Sequence, residues 1–173
     1  LPKNNVIYCT QGFDKNLHQP VTPFNQKKEG IVFIGHYEKE RATVIHQLIN
    51  NNINVAIAGI KWAKFIQQHK NNKHLHYLGN GIYGSAYVKT LSAYQFSWGA
   101  ISKWIPELHT TRTFEIPACK TVLITERNAE TISFFKADEV LFYSSTAEMI
   151  AKIKAHQQNK ALMEEVAEFI KKY

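Results

Sequence analysis

The chain has 173 residues, 45% hydrophobic and 20% charged, which suits one globular domain with a sizeable core. No apolar run reaches the roughly 18–20 residues of a membrane span, and the opening LPKNN carries no basic-then-apolar leader pattern. A net charge of +7 and a pI of about 9.3 favour anionic partners; the lysines are dispersed, with dense pairs at 27–28 and 171–172, so no nucleic acid partner is expected.

NVIYC, residues 5–9, reads as a short strand, and QGFDKNLHQPVTPFNQKKEG after it as a loop. IVFIG (31–35) is a continuous apolar run, as expected of a strand covered on both faces. EKERATVIHQLINNN then places Val44, Ile45, Leu48 and Ile49 on one helical face. INVAIAG (53–59) is a second buried strand, IKWAKFIQQHKNN a helix and HLHYLG a third strand.

GSAYVKTLSAYQF reads as a helix with Tyr87, Leu91 and Tyr94 along one side, and QFSWGAISKWIP holds a strand without fixed limits. RTFEIPA is a short helix ended or interrupted near Pro117. TVLIT is a strand, NAETISFF a helix capped by Asn128, and EVLFY a further strand. SSTAEMIAKIKAHQQ sets Glu148 three residues after Ser145, a capping-box pattern, with Met149, Ile150 and Ile153 as its apolar face. NKALMEEVAEFIKKY closes the chain, with Leu162, Val166, Phe169 and Ile170 on one side and lysines against the helix dipole. Strands and helices alternate about six times with no hairpin signal. The expected fold class is α/β: a Rossmann-like three-layer sandwich with a mostly parallel sheet, in a single domain.

Cys9 and Cys119 stand 110 positions apart, which gives neither a disulfide framework nor a metal-ligand spacing; two buried thiols in a reducing cytosol are expected. The histidines are scattered apart from HLH at 74–76, and HxxxH and HExxH are absent, so no zinc site is expected.

In open parallel sheets ligands bind beyond the C-terminal strand ends, where free N–H groups at helix starts suit phosphate. Three strand-to-helix loops carry suitable residues. In FIGHYEKER, Gly35 allows close backbone approach, and His36 and Arg41 flank the helix start. A surface ion pair of Arg41 with Glu38 is the plain alternative, and GxGxxG is absent. In YLGNGIYGSAY, Gly79, Gly81 and Gly84 can lie flat along a base and Tyr83 can cover it; a simple glycine turn is the alternative. In TTRTFE, Thr110, Thr111, Arg112 and Thr113 offer hydroxyls and a guanidinium to a diphosphate. Glu115 can then accept both hydroxyls of a ribose, or serve only as an acid favoured by the helix dipole.

FIGHYEKER together with RTFEIPACK and VLITE resembles the C-terminal half of the CgeB-like, group-1 type glycosyltransferases, which have the two-domain GT-B fold. Gly59 with Trp62, FFKADEVLFY and AEMIAKI extend the likeness over nearly all of residues 5–170. The resemblance implies one half of a GT-B fold that holds a nucleoside-diphosphate sugar donor. Glu115 matches the ribose-binding glutamate, and Arg41 falls where related retaining enzymes keep a basic residue for the diphosphate. Glu107 and Glu115 reproduce a Glu-x7-Glu spacing whose first member lies near the donor sugar, a catalytic role for Glu107 that leans towards retaining chemistry. One departure stands out: the family has Gly after the Cys, and this chain has Lys120, which points to a different turn.

Several further expectations follow from the resemblance. No cofactor or metal is required, because Arg112, Arg41 and a helix start neutralise the leaving diphosphate. The acceptor site belongs to an N-terminal domain that precedes Leu1 in a longer chain, so this domain binds nucleotide weakly and transfers no sugar alone. The location is cytoplasmic, or peripheral at the inner face of the membrane. The rival readings are an inert nucleotide- or sugar-binding module of the same fold, an α/β signalling receiver and a nucleic-acid binder. The receiver lacks its acidic cluster, because the first strand ends in Gly-His-Tyr.

Overall fold

Strand β1 (Lys28–Ile34) lies inside a six-stranded sheet in which every pairing is parallel. The structure, a computed structural model, describes residues 7, 9–157 and 159–168. From β1 the chain steps outward through α1 (Lys39–Asn50), β2 (Val55–Ala58), α2 (Ala63–Gln68) and β3 (Leu75–Tyr77). Helix α3 (Gly84–Ser92) carries it back to β4 (Tyr94–Gly99) on the other flank of β1. It then steps the opposite way through α4 (Arg112–Ala118), β5 (Val122–Glu126), α5 (Thr131–Phe134) and β6 (Leu141–Tyr143), ending in α6 (Thr146–Gln157) and α7 (Lys160–Glu168). The order β3-β2-β1-β4-β5-β6 is that of the Rossmann fold.

Side chains on a strand alternate between its two faces, and both faces here are covered. Ile31, Phe33, Val55, Ile57, Phe96 and Trp98 point to one face, where Ile45, Leu48 and Ile49 of α1 and Met149 and Ile153 of α6 pack on them. Val32, Ile34, Ala56, Ala58 and Leu123 point to the other, against Val88 and Leu91 of α3 and Ile116 of α4. Two-sided burial is why these strands read as unbroken apolar runs.

Some limits differ from those expected. The helix expected over GSAYVKTLSAYQF stops at Ser92, and Tyr94 opens β4 instead of extending the α3 face. Tyr94 to Gly99 are all buried, so the tract satisfies both sheet faces, and its fit to a helical period is coincidental. Helix α5 keeps only four residues, although Asn128 does cap it: its Oδ1 accepts the amides of Glu130 and Thr131, each at 3.0 Å. At α6, Ser145 Oγ accepts the Glu148 amide at 3.2 Å and the Glu148 carboxylate accepts the Ser144 amide at 2.8 Å. The strand expected at 5–9 falls on residues 5, 6 and 8, outside the described residues, as do Phe169 and Ile170 of the last helix.

The ends of β1 and β2 cross at backbone contact. The Gly35 amide donates to Ala58 O at 2.8 Å, and the Trp62 indole donates to Gly35 O at 2.9 Å. Gly59 has φ +144°, and a Cβ on it would lie 2.0 Å from Gly35 O, so no other residue fits. The Gly59 and Trp62 pair seen in the sequence therefore has a mechanical origin. The direction in which strands are added reverses between β1 and β4, which opens a crevice above their C-terminal ends.

Candidate functional site

A cavity of about 500 Å³ opens at that crevice, on the β1 to β3 side. Its floor is Ile34, Gly35 and His36 after β1 and Gly59 after β2. One wall is the loop from Asn80 to Gly84, continued by Tyr87 of α3. The opposite wall is Arg112 and Glu115, one turn apart at the start of α4, and Leu17 and His18 of the N-terminal loop close a third side.

Glu115 is the most constrained group in it. The Tyr87 hydroxyl donates to its Oε2 at 2.6 Å, and His18 Nε2 lies 3.6 Å from its Oε1. Burial first, then the hydrogen bond to Glu115, pushes the Tyr87 phenol well above its usual range, so Tyr87 is a lasting donor. Arg112 is half-buried, and its Nε is enclosed without a hydrogen-bond partner. Tyr83 is 81% exposed at the rim.

Of the residues singled out from the sequence, Gly35, His36, Tyr83, Arg112 and Glu115 line this cavity. Gly79 supports it from behind, with φ +118° and its carbonyl accepting the Gly59 amide at 2.9 Å. Thr113 is 2% exposed and its Oγ1 accepts the Thr110 amide at 3.1 Å, so its hydroxyl serves the start of α4 and does not face the opening. Thr111 is exposed just before the helix, and its carbonyl accepts the Phe114 and Glu115 amides.

Arg41 is placed elsewhere. Its guanidinium is 3.0 Å from Glu38 Oε1, donates to His36 O at 3.2 Å and lines a second cavity of about 380 Å³. That cavity lies above β4 to β6, among Trp98, Lys103, Arg127 and Tyr143. Burial pulls the Arg41 pKa down, Glu38 opposes this, and the nearby Arg112 pulls the same way as burial. The ion pair with Glu38 is present, but buried and not at the surface as the plain alternative has it. Glu107 accepts the Ser102 amide at 3.1 Å in the loop after β4 and lies within electrostatic reach of Arg41.

His18 and Tyr87 were not among the candidates. The helical period places Tyr87 on an apolar face; its hydroxyl is the signal that marks it, since a half-buried tyrosine needs a partner. His18 sits in a loop with no periodicity, and nothing in the sequence ties it to Glu115. Cys9 is exposed and Cys119 buried, both as free thiols; the expected burial of Cys9 is not found. Among the described residues no helix is long and apolar enough to cross a membrane.

A Rossmann-like sheet with a cavity at its reversal point, an acid and an arginine together on one wall, defines a nucleotide-type α/β domain. The family described as glycosyl transferase-like matches residues 40–172, and the chain belongs to it. Among solved structures it is similar to the C-terminal domain of a glycosyl transferase group 1 family protein, LpcC, from Francisella tularensis. The TM-score is 0.70 at 16% identity, over 90% of this chain and 93% of that one. HepE of Anabaena, in complex with UDP, gives a TM-score of 0.67 at 12% identity over 92% of this chain and 50% of its own. A mutant of T4 phage BGT in complex with UDP-glucose gives 0.62 at 15% identity, over 89% and 44%. This chain covers 50% and 44% of the latter two, and its architecture is that of one half of a GT-B fold. No curated protein matches the sequence.

Proposed function

We propose that this domain binds the nucleoside-diphosphate sugar donor of a glycosyltransferase of the CgeB-like, group-1 type. The observation that carries the reading is the placing of Arg112 and Glu115 on one wall of a cavity of about 500 Å³, within the size range of small-ligand sites. Glu115 accepts the ribose hydroxyls, Arg112 meets the diphosphate, and the loop from Asn80 to Gly84 lies along the base with Tyr83 over it. Gly35 and His36 bring backbone up to the phosphates. Arg41 contributes indirectly, by tying down the loop after β1 through Glu38 and the His36 carbonyl. The complexes of HepE with UDP and of T4 phage BGT with UDP-glucose support a donor of this class.

In transfer, the bond between the anomeric carbon and the diphosphate oxygen breaks, a bond from that carbon to the acceptor oxygen forms, and the acceptor's hydroxyl proton passes to the departing diphosphate. Charge builds on the leaving diphosphate, and the guanidinium of Arg112 stabilises it at the cavity wall. Glu107, within electrostatic reach of Arg41, is assigned the sugar side of the donor. The acceptor site lies on an N-terminal domain of the full-length protein, so the isolated domain binds donor weakly and transfers nothing. No metal is needed for donor binding in this reading, and the protein works in the cytoplasm or at the inner membrane face. At Lys120 the backbone takes φ +51°, the left-handed conformation that glycine adopts most readily.

Calorimetric titration of the domain with nucleoside diphosphates at millimolar concentration tests the reading. Heat from at least one of them is expected, and it should vanish with Glu115→Ala. No heat from any diphosphate overturns it.

A further inference from the structure

The Glu115 carboxylate is gripped from two elements remote from α4. Tyr87 comes from α3 and bonds Oε2 at 2.6 Å; His18 comes from the N-terminal loop and faces Oε1 at 3.6 Å. The second distance is an electrostatic contact, longer than a hydrogen bond. Each partner therefore addresses a different carboxylate oxygen.

The His18 ring is itself fixed. Nδ1 lies 3.1 Å from the Asp14 amide and 3.2 Å from the Asp14 carbonyl, which turns the Nε2 edge of the ring towards Glu115. The ring meets Tyr87 edge-on at a centroid distance of 6.1 Å, and His18 is 8% exposed. Its loop is pinned to the body, because the Val21 and Thr22 amides donate to Ser92 Oγ at 2.9 and 3.0 Å.

An ionised carboxylate offers about four lone-pair positions. Tyr87 fills one on Oε2 and His18 lies beside Oε1, which leaves positions on both oxygens for the cavity. A vicinal diol presents two O–H donors that one carboxylate can accept together. A free glutamate would have to be ordered when ligand arrives, with loss of side-chain entropy; here it is ordered beforehand.

We propose that Tyr87 and His18 are positioning residues that hold the Glu115 carboxylate towards a vicinal diol and thereby set a preference for ribose over 2′-deoxyribose nucleotides. This rests on the donor-nucleotide reading above. A nucleotide without the 2′-hydroxyl leaves one acceptor position of the half-buried carboxylate unfilled, which is the kind of mismatch that hydrogen-bonding sites reject.

The test is titration of the 173-residue chain with ribonucleoside diphosphates and their 2′-deoxy counterparts. The unaltered protein should prefer the ribose form by roughly tenfold or more. Tyr87→Phe and His18→Ala should each shrink that ratio to about threefold or less by weakening the ribose form alone, and His18→Gln, which restores an N–H near the Nε2 position, should recover it. His18→Ala changes a loop residue and gives a readout even if Tyr87→Phe fails to fold. A ratio unchanged or widened in Tyr87→Phe and His18→Ala, with Glu115→Gln losing it, overturns the positioning role and leaves the donor reading standing. A ratio retained by Glu115→Gln, or no diphosphate bound by the unaltered protein, overturns the donor reading and this inference with it.

Discussion

The Glu38 carboxylate and the Arg41 guanidinium meet at 3.0 Å with both side chains buried. Glu38 Oε1 also accepts the Ser102 hydroxyl at 3.0 Å and lies 3.1 Å from His36 Nε2. One oxygen thus joins the start of α1, the loop after β1 and the loop after β4, on both sides of the reversal point. Glu38 Oε2 and Arg41 Nε are enclosed without hydrogen-bond partners. Breaking a buried pair from one side strands the other charge, so Glu38→Ala should destabilise the domain by roughly 3–5 kcal/mol. Glu38→Leu combined with Arg41→Met should lose much less, since no charge is stranded. Urea denaturation of the single and double variants measures both; a loss under about 1 kcal/mol for Glu38→Ala would show that water reaches the pair.

Among the described residues lining the first cavity, Arg112 is the one permanent cation. If it meets the diphosphate, Arg112→Gln should weaken binding of a nucleoside diphosphate by roughly tenfold or more and leave binding of the matching nucleoside unchanged. The salt dependence of diphosphate binding should fall at the same time, because one charge contact is gone. Titrations with both ligands at low and high salt read this directly. Equal losses for nucleoside and diphosphate would place Arg112 in the shape of the pocket and not on the phosphates.

Much of the fold is legible in the sequence because each strand is buried on both faces. IVFIG and INVAIAG cannot alternate with polar residues when both sides pack on helices. The end of α3 is not legible, since Tyr87, Leu91 and Tyr94 satisfy a helical period while Tyr94 pairs in the sheet opposite Lys28. In the cavity, Gly35, His36, Arg112 and Glu115 follow from their position at strand ends and helix starts. The direction of Arg41 does not, because a buried carboxylate three residues earlier captures it and turns it towards the other cavity. His18 is recruited by its ring contact with Tyr87, by Asp14 within its own loop and by Ser92, which pins that loop through Val21 and Thr22; none of these leaves a periodic trace.

Lys27 is buried below that loop, where its ammonium donates to Ser92 O and, at 3.2 Å, to Thr121 Oγ1. Burial lowers its pKa from 10.5 to about 8, with the neighbouring Cys119 opposing the shift. The folded state therefore gives up this proton at lower pH than the unfolded chain does. Between about 8 and 10.5 the unfolded state holds more protons, so this group's contribution to stability rises with pH across that window and falls as pH drops back through it. Cys119, pushed up to about 12 by burial, acts with the opposite sign above pH 9 and is common to both proteins in a comparison. The stability of the unaltered protein minus that of Lys27→Met should thus increase by on the order of 3 kcal/mol from pH 8 to pH 10.5. Denaturant unfolding at a series of pH values checks it, and a flat difference would mean that the amine is hydrated.

Lys120 ends α4 in the left-handed region, with φ +51°. Its amide donates to Pro117 O at 2.8 Å, and the Thr121 amide reaches back to Ile116 O at 3.4 Å, the paired bonds of a Schellman cap. This is a glycine position by geometry, and a lysine there sets its Cβ against the following carbonyl at a cost of about 1–2 kcal/mol. Lys120→Gly relieves that strain and gives back part of it as extra freedom in the unfolded chain. The net expectation is a gain of about 0.5–1 kcal/mol, a rise of roughly 2–4 °C in Tm at most. Thermal unfolding with the nucleotide titration repeated on the variant tests both halves: higher Tm with unchanged binding fits a strained cap. A lower Tm would mean that contacts of the lysine side chain outweigh the backbone strain.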